Sequence, residues 1–597
     1  MKKIGLLIVA LVLFLSACTT EDPTNPDLPD VETPSDPEPS LTEMERLLAE
    51  LTLEEKVGQM MQPERSGITL DEVREYNIGS ILNAGGSHPN NDPYASFEDW
   101  YAMIEAFQNE ALSSSSGIPM LYGIDAVHGN NNVYGATLFP HNINLGMIQD
   151  ISLIESIGEA TALEMRALGM HLNFSPAVSV AEDIRWGRTY ESMSQEVTLV
   201  TERMEAYLTG MMPEAIPTVK HYVGDGGTYL GIDQGNSILS EDAIRSRHLP
   251  PYEAAILMDV PVIMASYHSI RGVKLHGHDY WLNDVLKEEL GFDGILLSDY
   301  NAINQLEGDF KTQLITAINA GVDMLMQPFN WKEAYELIIE AVEEGQILES
   351  RIDDAVLRIL NVKDAYGLFD EPLAPFTPDV MYQEAHQDIA LDAAKASMVL
   401  LENNDVLPLD NPTIYLSGPA SDHVGLLAGG WTTFWQGNPN ADIGVGTSIL
   451  DGLEPYGDLT DDYEDADTVI LAFSEISYSE GVGDTMQPTL TGGLSHPENQ
   501  AALDLARRAK DDGKTVIGLL VSGRPLVLGS APEAMDALVA MFLPGPEGGQ
   551  AIAELLYGDA PFTGKLSFYW PNDIIDLDVE SLKDNHRYPI GYGLETE

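Results

Sequence analysis

Five short apolar runs in this chain end on groups able to do acid–base or polar chemistry. Gly294-Ile295-Leu296-Leu297-Ser298 stops at Asp299 and Tyr300. The run over 119–125 ends on Asp125, with His128 three residues on. The run over 217–223 carries Lys220 and His221, and the run over 260–267 reaches Ser266-Tyr267-His268. Past the run over 172–178 comes Arg185-Trp186-Gly187-Arg188. Each group alone has an ordinary explanation. Aspartate is a preferred cap, arginine pairs with acids, and a buried histidine is often satisfied by its neighbours. Asp299 by itself reads equally as a cap and as a functional carboxylate. Gathered at one mouth, acids, a lysine, an arginine and aromatic rings suit a polyhydroxylated ring. Hydroxyls need paired donors and acceptors, and the C–H faces of a sugar stack on aromatics.

Other chemistries find no support. The chain has no His-Glu-x-x-His, and its single cysteine cannot build a zinc site. Gly224-Asp225-Gly226-Gly227 lacks the Gly-Lys-Ser/Thr ending of a phosphate loop, and Val521-Ser522-Gly523-Arg524 is not a nucleophile elbow. Paired carboxylates are then the remaining means of hydrolysis, with no cofactor and no metal.

A buried parallel strand delivers its terminal residue to the mouth of an α/β domain. Eight apolar runs qualify: 57–62, 78–83, 119–125, 172–178, 217–223, 260–267, 294–299 and 322–326. Amphipathic helices separate most of them. One spans 150–170, with Ile154, Ile157, Ala160 and Leu163 on one face. Thr52-Leu53-Glu54-Glu55 has the form of a capping box. The alternation predicts a (β/α)8 TIM-like barrel over 41–370, irregular in its first two strands, with one strand missing or reversed as a further expectation. A helix over 351–368 closes it, and a linker over 371–395 follows. A second alternation over 396–597 carries short runs at 398–401, 413–416, 468–473, 515–521, 537–542 and 565–569. It predicts a smaller six-stranded α/β sandwich domain.

The N-terminus has a different character. Met1-Lys2-Lys3 is basic, 4–15 is an apolar run too short for a comfortable membrane span, and Leu15-Ser16-Ala17 precedes Cys18. This looks like a bacterial lipoprotein signal over 1–17, leaving Cys18 as a lipidated N-terminus. Acyl chains contribute about 0.8 kcal/mol per buried CH₂, so multiple acylation anchors firmly. The next residue, Thr19, is not aspartate, which in a two-membrane cell points to the outer membrane. Residues 18–40 are rich in Pro, Asp and Glu and read as an extended acidic tether. The expected location is the cell envelope, with membrane contact through the lipid alone. The 95 acids against 30 Lys and Arg give a formal net charge of −65. Such a field repels phosphate backbones, excludes nucleic acid as a partner and suits a saline setting.

The motifs resemble glycoside hydrolase family 3, in its β-glucosidase and exo-β-glucanase branch. In the first domain they are Tyr122-Gly-Ile-Asp-Ala-Val-His-Gly129, Phe139-Pro-His141, Arg185-Trp-Gly-Arg-Thr-Tyr-Glu-Ser192, Lys220-His-Tyr-Val-Gly-Asp-Gly-Gly-Thr228 and Leu297-Ser-Asp-Tyr300. In the second they are Gly429-Gly-Trp-Thr-Thr-Phe-Trp-Gln-Gly437, Tyr478-Ser-Glu480, Ser522-Gly-Arg-Pro525 and Phe562-Thr-Gly-Lys-Leu566. The resemblance spans nearly all of 41–594. It implies Asp299 as nucleophile and Glu480, on the second domain, as acid/base, with Glu475 as the rival. It implies that Asp125, Arg188, Lys220, His221 and Tyr267 hold the first sugar. Tyr300, Trp435 and Trp431 would flank the next. The expected activity is retaining, exo-acting hydrolysis of terminal β-D-glucosyl residues from β-glucans or gluco-oligosaccharides. β-Xylosidase activity and a non-catalytic surface glycan-binding lipoprotein are the alternatives. Related exo-glucanases often carry tryptophan where this chain has Tyr300, and the loop 227–235 lacks the histidine used by the hexosaminidase branch.

Overall fold

Thr52 does cap a helix, and it corrects one expected strand. Its side chain accepts from Glu55 N–H and the Glu55 carboxylate answers, starting the helix Leu53–Met60. Residues 57–60, read from sequence as strand, are the last turn of that helix. Lys56 to Met60 are all buried, and a short helix segment buried all round cannot be told from a buried strand by periodicity.

The structure, a computed structural model, describes residues 41–575 and 577–596. The signal segment 1–17, Cys18 and the tether up to residue 40 lie outside the described residues. Eight barrel strands are present: β1 Met61–Gln62, β2 Ser80–Asn83, β3 Leu121–Ile124, β4 Leu172–Asn173, β5 Ile216–Tyr222, β6 Val262–Ala265, β7 Ile295–Leu297 and β8 Leu325–Met326. β2 to β7 pair in chain order and β8 pairs with β1. Single bridges, Leu297 to Met324 and Glu64 to Leu82, complete the ring. Every barrel pairing is parallel, so among the described residues no barrel strand is missing or reversed. Ile81, Leu121, Val219, Ile263, Leu296 and Leu297 are fully buried, as strands covered on both faces must be.

β5 holds one irregularity that matters. Val219 pairs with Ile263 but Tyr222 pairs with Ala265, so β5 has one residue more than its partner over this step. Lys220 and His221 sit in that bulge. In a regular strand, consecutive side chains point to opposite faces; a bulge re-aims them.

The expected linker, 371–395, contains most of a 14-residue helix, Glu384–Ser397. The second sheet is β9 Val399–Asn403, β10 Ile414–Ser417, β11 Thr468–Ser474, β12 Thr515–Val521 and β13 Ala537–Ala540, ordered β9-β13-β12-β11-β10. It has five strands rather than six, with only β9 antiparallel. The segment 565–569, expected as the sixth, runs alongside the chain end instead: Leu566 N–H donates to the Tyr592 carbonyl. The α/β class of both domains stands, a parallel barrel followed by a mixed sheet with helices.

Barrel loops reach into the core of the second domain. Trp186 and Tyr190 pack in one cluster with Leu519, Phe542 and Trp570. Buried polar groups pair across the seam: His141 Nε2 lies 2.8 Å from the Ala428 carbonyl, and the Tyr190 hydroxyl donates to the Tyr478 carbonyl at 2.9 Å. These bonds satisfy groups that would otherwise be costly to bury.

Candidate active site

The carboxyl ends of the barrel strands open into a cavity of about 360 Å³, within the size range of small-molecule sites. Asp125, Arg188, Lys220, His221, Tyr267, Asp299, Tyr300, Trp431, Trp435 and Glu480 all line it. Those are the residues singled out from sequence. Apolar walls come from Leu82, Phe174, Met264 and Met326.

Asp299 is positioned by the end of β7. Its backbone N–H donates to His276 Nε2 at 3.0 Å, and its Oδ1 accepts from Tyr300 N–H at 2.7 Å. Oδ2 accepts no hydrogen bond from the described residues. Burial raises the Asp299 carboxyl to about 6, although Arg188, the Tyr300 N–H and Lys220 pull it down. One carboxylate oxygen is therefore fixed and the other is free.

The β5 bulge turns both Lys220 and His221 to the cavity. Lys220 Nζ donates to Asp125 Oδ1 at 3.1 Å, tying the end of β3 to β5. His221 Nδ1 lies 3.0 Å from Asp225 Oδ2, and its Nε2 lies 3.2 Å from Arg188 Nη2. Burial, with Arg188 and Lys220 nearby, holds this imidazole neutral far below its ordinary value. It then donates from Nδ1 to Asp225 and accepts at Nε2 from Arg188. That tautomer leaves Nε2 without a proton for Asp299 Oδ2, 3.7 Å away. Arg188 is fixed by a two-pronged bond to Glu191, at 2.8 and 2.6 Å. Trp431 Nε1 donates to the same Glu191 at 3.3 Å. The Tyr267 hydroxyl donates to the Tyr300 backbone carbonyl, tying the end of β6 to the end of β7.

Glu480 comes from the second domain, in the turn Glu480–Gly483 that follows β11. Burial pushes its carboxyl up to about 8; Arg188 opposes this, while Glu191, Asp233 and Asp299 add to it. Glu475 does not line this cavity. Its Oε2 accepts from the Tyr478 hydroxyl and Gly523 N–H, both at 2.9 Å, and Arg524 stands 3.3 Å from its Oε1. Trp435 is 41% exposed at the rim, and its ring centroid is 6.5 Å from that of Trp431. Gly85 makes room for both rings: a Cβ there would stand 2.6 Å from Trp431 and 3.5 Å from Trp435.

Four site residues were not singled out from sequence. Glu191 and Asp225 lay inside the quoted motifs, three and four residues from the groups they hold, and that spacing was the available signal. Asp233 and His276 arrive from loops that fold back over strand ends, and nothing local marks them.

A sugar-sized pocket at the mouth of a parallel barrel, faced by carboxylates from two domains, defines a glycoside hydrolase of the barrel-and-sandwich kind. The chain belongs to glycosyl hydrolase family 3. The model of the family's N-terminal domain matches 52–362, and that of its C-terminal domain matches 398–596. It is similar to an exo-1,3/1,4-β-glucanase from a Pseudoalteromonas species, with a TM-score of 0.89 and 38% identity, covering 92% of this chain and 73% of that one. It is 30% identical to a lysosomal β-glucosidase of Dictyostelium discoideum, over 90% of this chain and 73% of the relative. A β-xylosidase of Formosa agariphila is also 30% identical, over 82% of this chain and 76% of the relative.

Proposed function

We propose that the protein removes single β-D-glucosyl residues from the ends of β-glucans or gluco-oligosaccharides, with retention of anomeric configuration. One observation carries the mechanism. Two carboxyls from different domains face one cavity, with protonation preferences pushed apart to about 6 for Asp299 and about 8 for Glu480. That split is how two carboxyls take opposite roles near neutral pH. Asp299, ionised, attacks the anomeric carbon through its free Oδ2. Glu480, protonated, gives its proton to the leaving oxygen. The same glutamate then takes a proton from water as it releases the glycosyl-enzyme. Retention requires the two carboxyls about 5–5.5 Å apart when sugar is bound.

Asp125, Lys220, Arg188 and His221 supply the hydroxyl partners at the reacting ring, while Tyr300, Trp431 and Trp435 flank the next one. A walled pocket closed by a second domain favours chain ends over mid-chain attack. The test is a product profile on β-1,3, β-1,4 and β-1,6 gluco-oligosaccharides, with the first-formed anomer read by ¹H NMR. Release of α-glucose first would defeat retention, and internal cleavage would defeat the exo reading. β-Xylosides belong in the same assay, since a relative of equal identity is named a β-xylosidase.

The location is proposed from sequence alone. Cys18 is read as the lipidated N-terminus of the mature chain, holding the enzyme at the cell envelope by its acidic tether. Cys18→Ala should move the protein from the membrane fraction to the soluble one. Membrane retention of that variant would count against the anchor.

A further inference from the structure

The turn that carries Glu480 does not rest on its own domain alone. Asp484, just past it, accepts from Gly187 N–H at 2.8 Å and from Asp233 N–H at 2.9 Å. Both donors belong to barrel loops, one after β4 and one after β5. Gly187 has no room for a side chain: a Cβ there would meet the Glu480 carbonyl oxygen at 1.9 Å. Thr485 N–H donates to the Arg185 carbonyl at 3.0 Å, one step further along. The second domain supplies the acid/base, but barrel backbone seats it.

Asp233 adds a second element, its own carboxylate. Oδ1 accepts from Trp186 Nε1 at 3.1 Å. Oδ2 stands 3.5 Å from the point where a Cβ on Gly481 would sit, beside the Glu480 turn. Asp233 does not line the sugar cavity, so sugar binding does not account for a carboxylate there. The basic groups facing it are Arg188, already held by Glu191, and Lys274; the acids are Glu191, Asp225, Glu480 and Asp484. Glu480 itself is faced by Arg188 and Glu191 from the loop after β4, Asp299 from β7, Tyr267 from β6 and Asp233 from the loop after β5.

We infer that Asp233 is a positioning residue for Glu480: its N–H seats the turn through Asp484, and its carboxylate, outside the sugar pocket, helps keep the proton on Glu480. This rests on the reading of Glu480 as the acid/base. A negative charge nearby disfavours the ionised carboxylate, so Asp233 extends the acid-competent form of Glu480 to higher pH. The residue touches no reacting atom and acts only through its neighbour.

The test is the pH dependence of kcat/KM on a gluco-oligosaccharide, using the full chain. Asp233→Asn keeps the backbone N–H and the shape but removes the charge. Its alkaline limb should move to lower pH by about half a unit or more, while the acid limb, set by Asp299, stays in place. Asp233→Ser should give the same shift. Asp233→Glu, which keeps the charge, should return the limb toward the wild-type position. A purely structural role would lower kcat/KM at every pH without moving the limb, and that result overturns the inference. Azide rescue of Glu480→Ala, run in parallel, separates the two levels. Rescue with an unmoved limb removes only the role of Asp233; wild-type activity in Glu480→Ala removes the acid/base reading beneath it.

Discussion

Glu475 and Arg524 form a buried ion pair, 3.3 Å apart, with both side chains almost fully withdrawn from solvent. Arg524 also donates to the Ile184 and Gly483 carbonyls, at 2.9 and 2.6 Å. Glu475 thus belongs to the joint between the domains. Removing one member of a buried pair leaves the other charge uncompensated and costs about 3–5 kcal/mol. Glu475→Ala should lower the unfolding midpoint by that equivalent in a denaturant titration. Azide should not restore its activity on an aryl glucoside; restoration would make Glu475 the acid/base.

The two cavity carboxyls should fail in different ways. Asp299→Ala should lose at least about 1,000-fold in kcat on every substrate, activated or not. Glu480→Ala should lose about 100- to 10,000-fold on oligosaccharides, which need a proton on the leaving oxygen. On a dinitrophenyl glucoside its glycosylation step should be nearly intact, with azide accelerating turnover and yielding a β-glucosyl azide. Steady-state and burst kinetics on the two substrate types check both statements.

In the proposed mechanism Asp299 acts ionised and Glu480 protonated, which gives the sign of each limb in the pH profile. Below about 6 Asp299 takes up a proton and attack fails. Above about 8 Glu480 loses its proton and leaving-group assistance fails. A bell-shaped kcat/KM with its plateau between those values is expected on oligosaccharides. For a leaving group that needs no proton, the alkaline limb should flatten. The two limbs are linked, since the charge on Asp299 helps keep the proton on Glu480.

Gly85 tests the indole wall. A methyl group there meets Trp431 at 2.6 Å and Trp435 at 3.5 Å, so the rings or the loop must give way. Forcing an extra carbon into a packed site costs about 1–3 kcal/mol. Gly85→Ala should raise KM for disaccharides and longer chains more than for a small aryl glucoside. Equal losses on both would place the defect at the first sugar instead.

Much of this was legible in the chain, for identifiable reasons. The barrel strands announced themselves because strands buried on both faces read as unbroken apolar runs, as in 294–297 or 260–265. The 57–60 turn misled because a helix buried on every side writes the same signal. Residues 565–569 misled because an apolar stretch packed along the chain end resembles one inside a sheet. Asp299, Lys220 and His221 were visible because they interrupt apolar runs. Glu480 has no such context; it stands in a polar turn, and only resemblance of its motif pointed to it. Asp233 and His276 were beyond reach because their roles arise from loops brought together by the fold.

Trp186 and Tyr190 are barrel residues that complete the second domain's core, and Glu480 is a second-domain residue that completes the barrel's pocket. Each half therefore lends the other something it lacks: aromatic bulk in one direction, the proposed proton donor in the other. Of two fragments divided between the domains, neither would carry both cavity carboxyls, so neither alone could run the proposed two-carboxyl hydrolysis of an oligosaccharide. On mixing, the rise of glucose release would time their assembly, so that turnover itself reports the docking of one half upon the other.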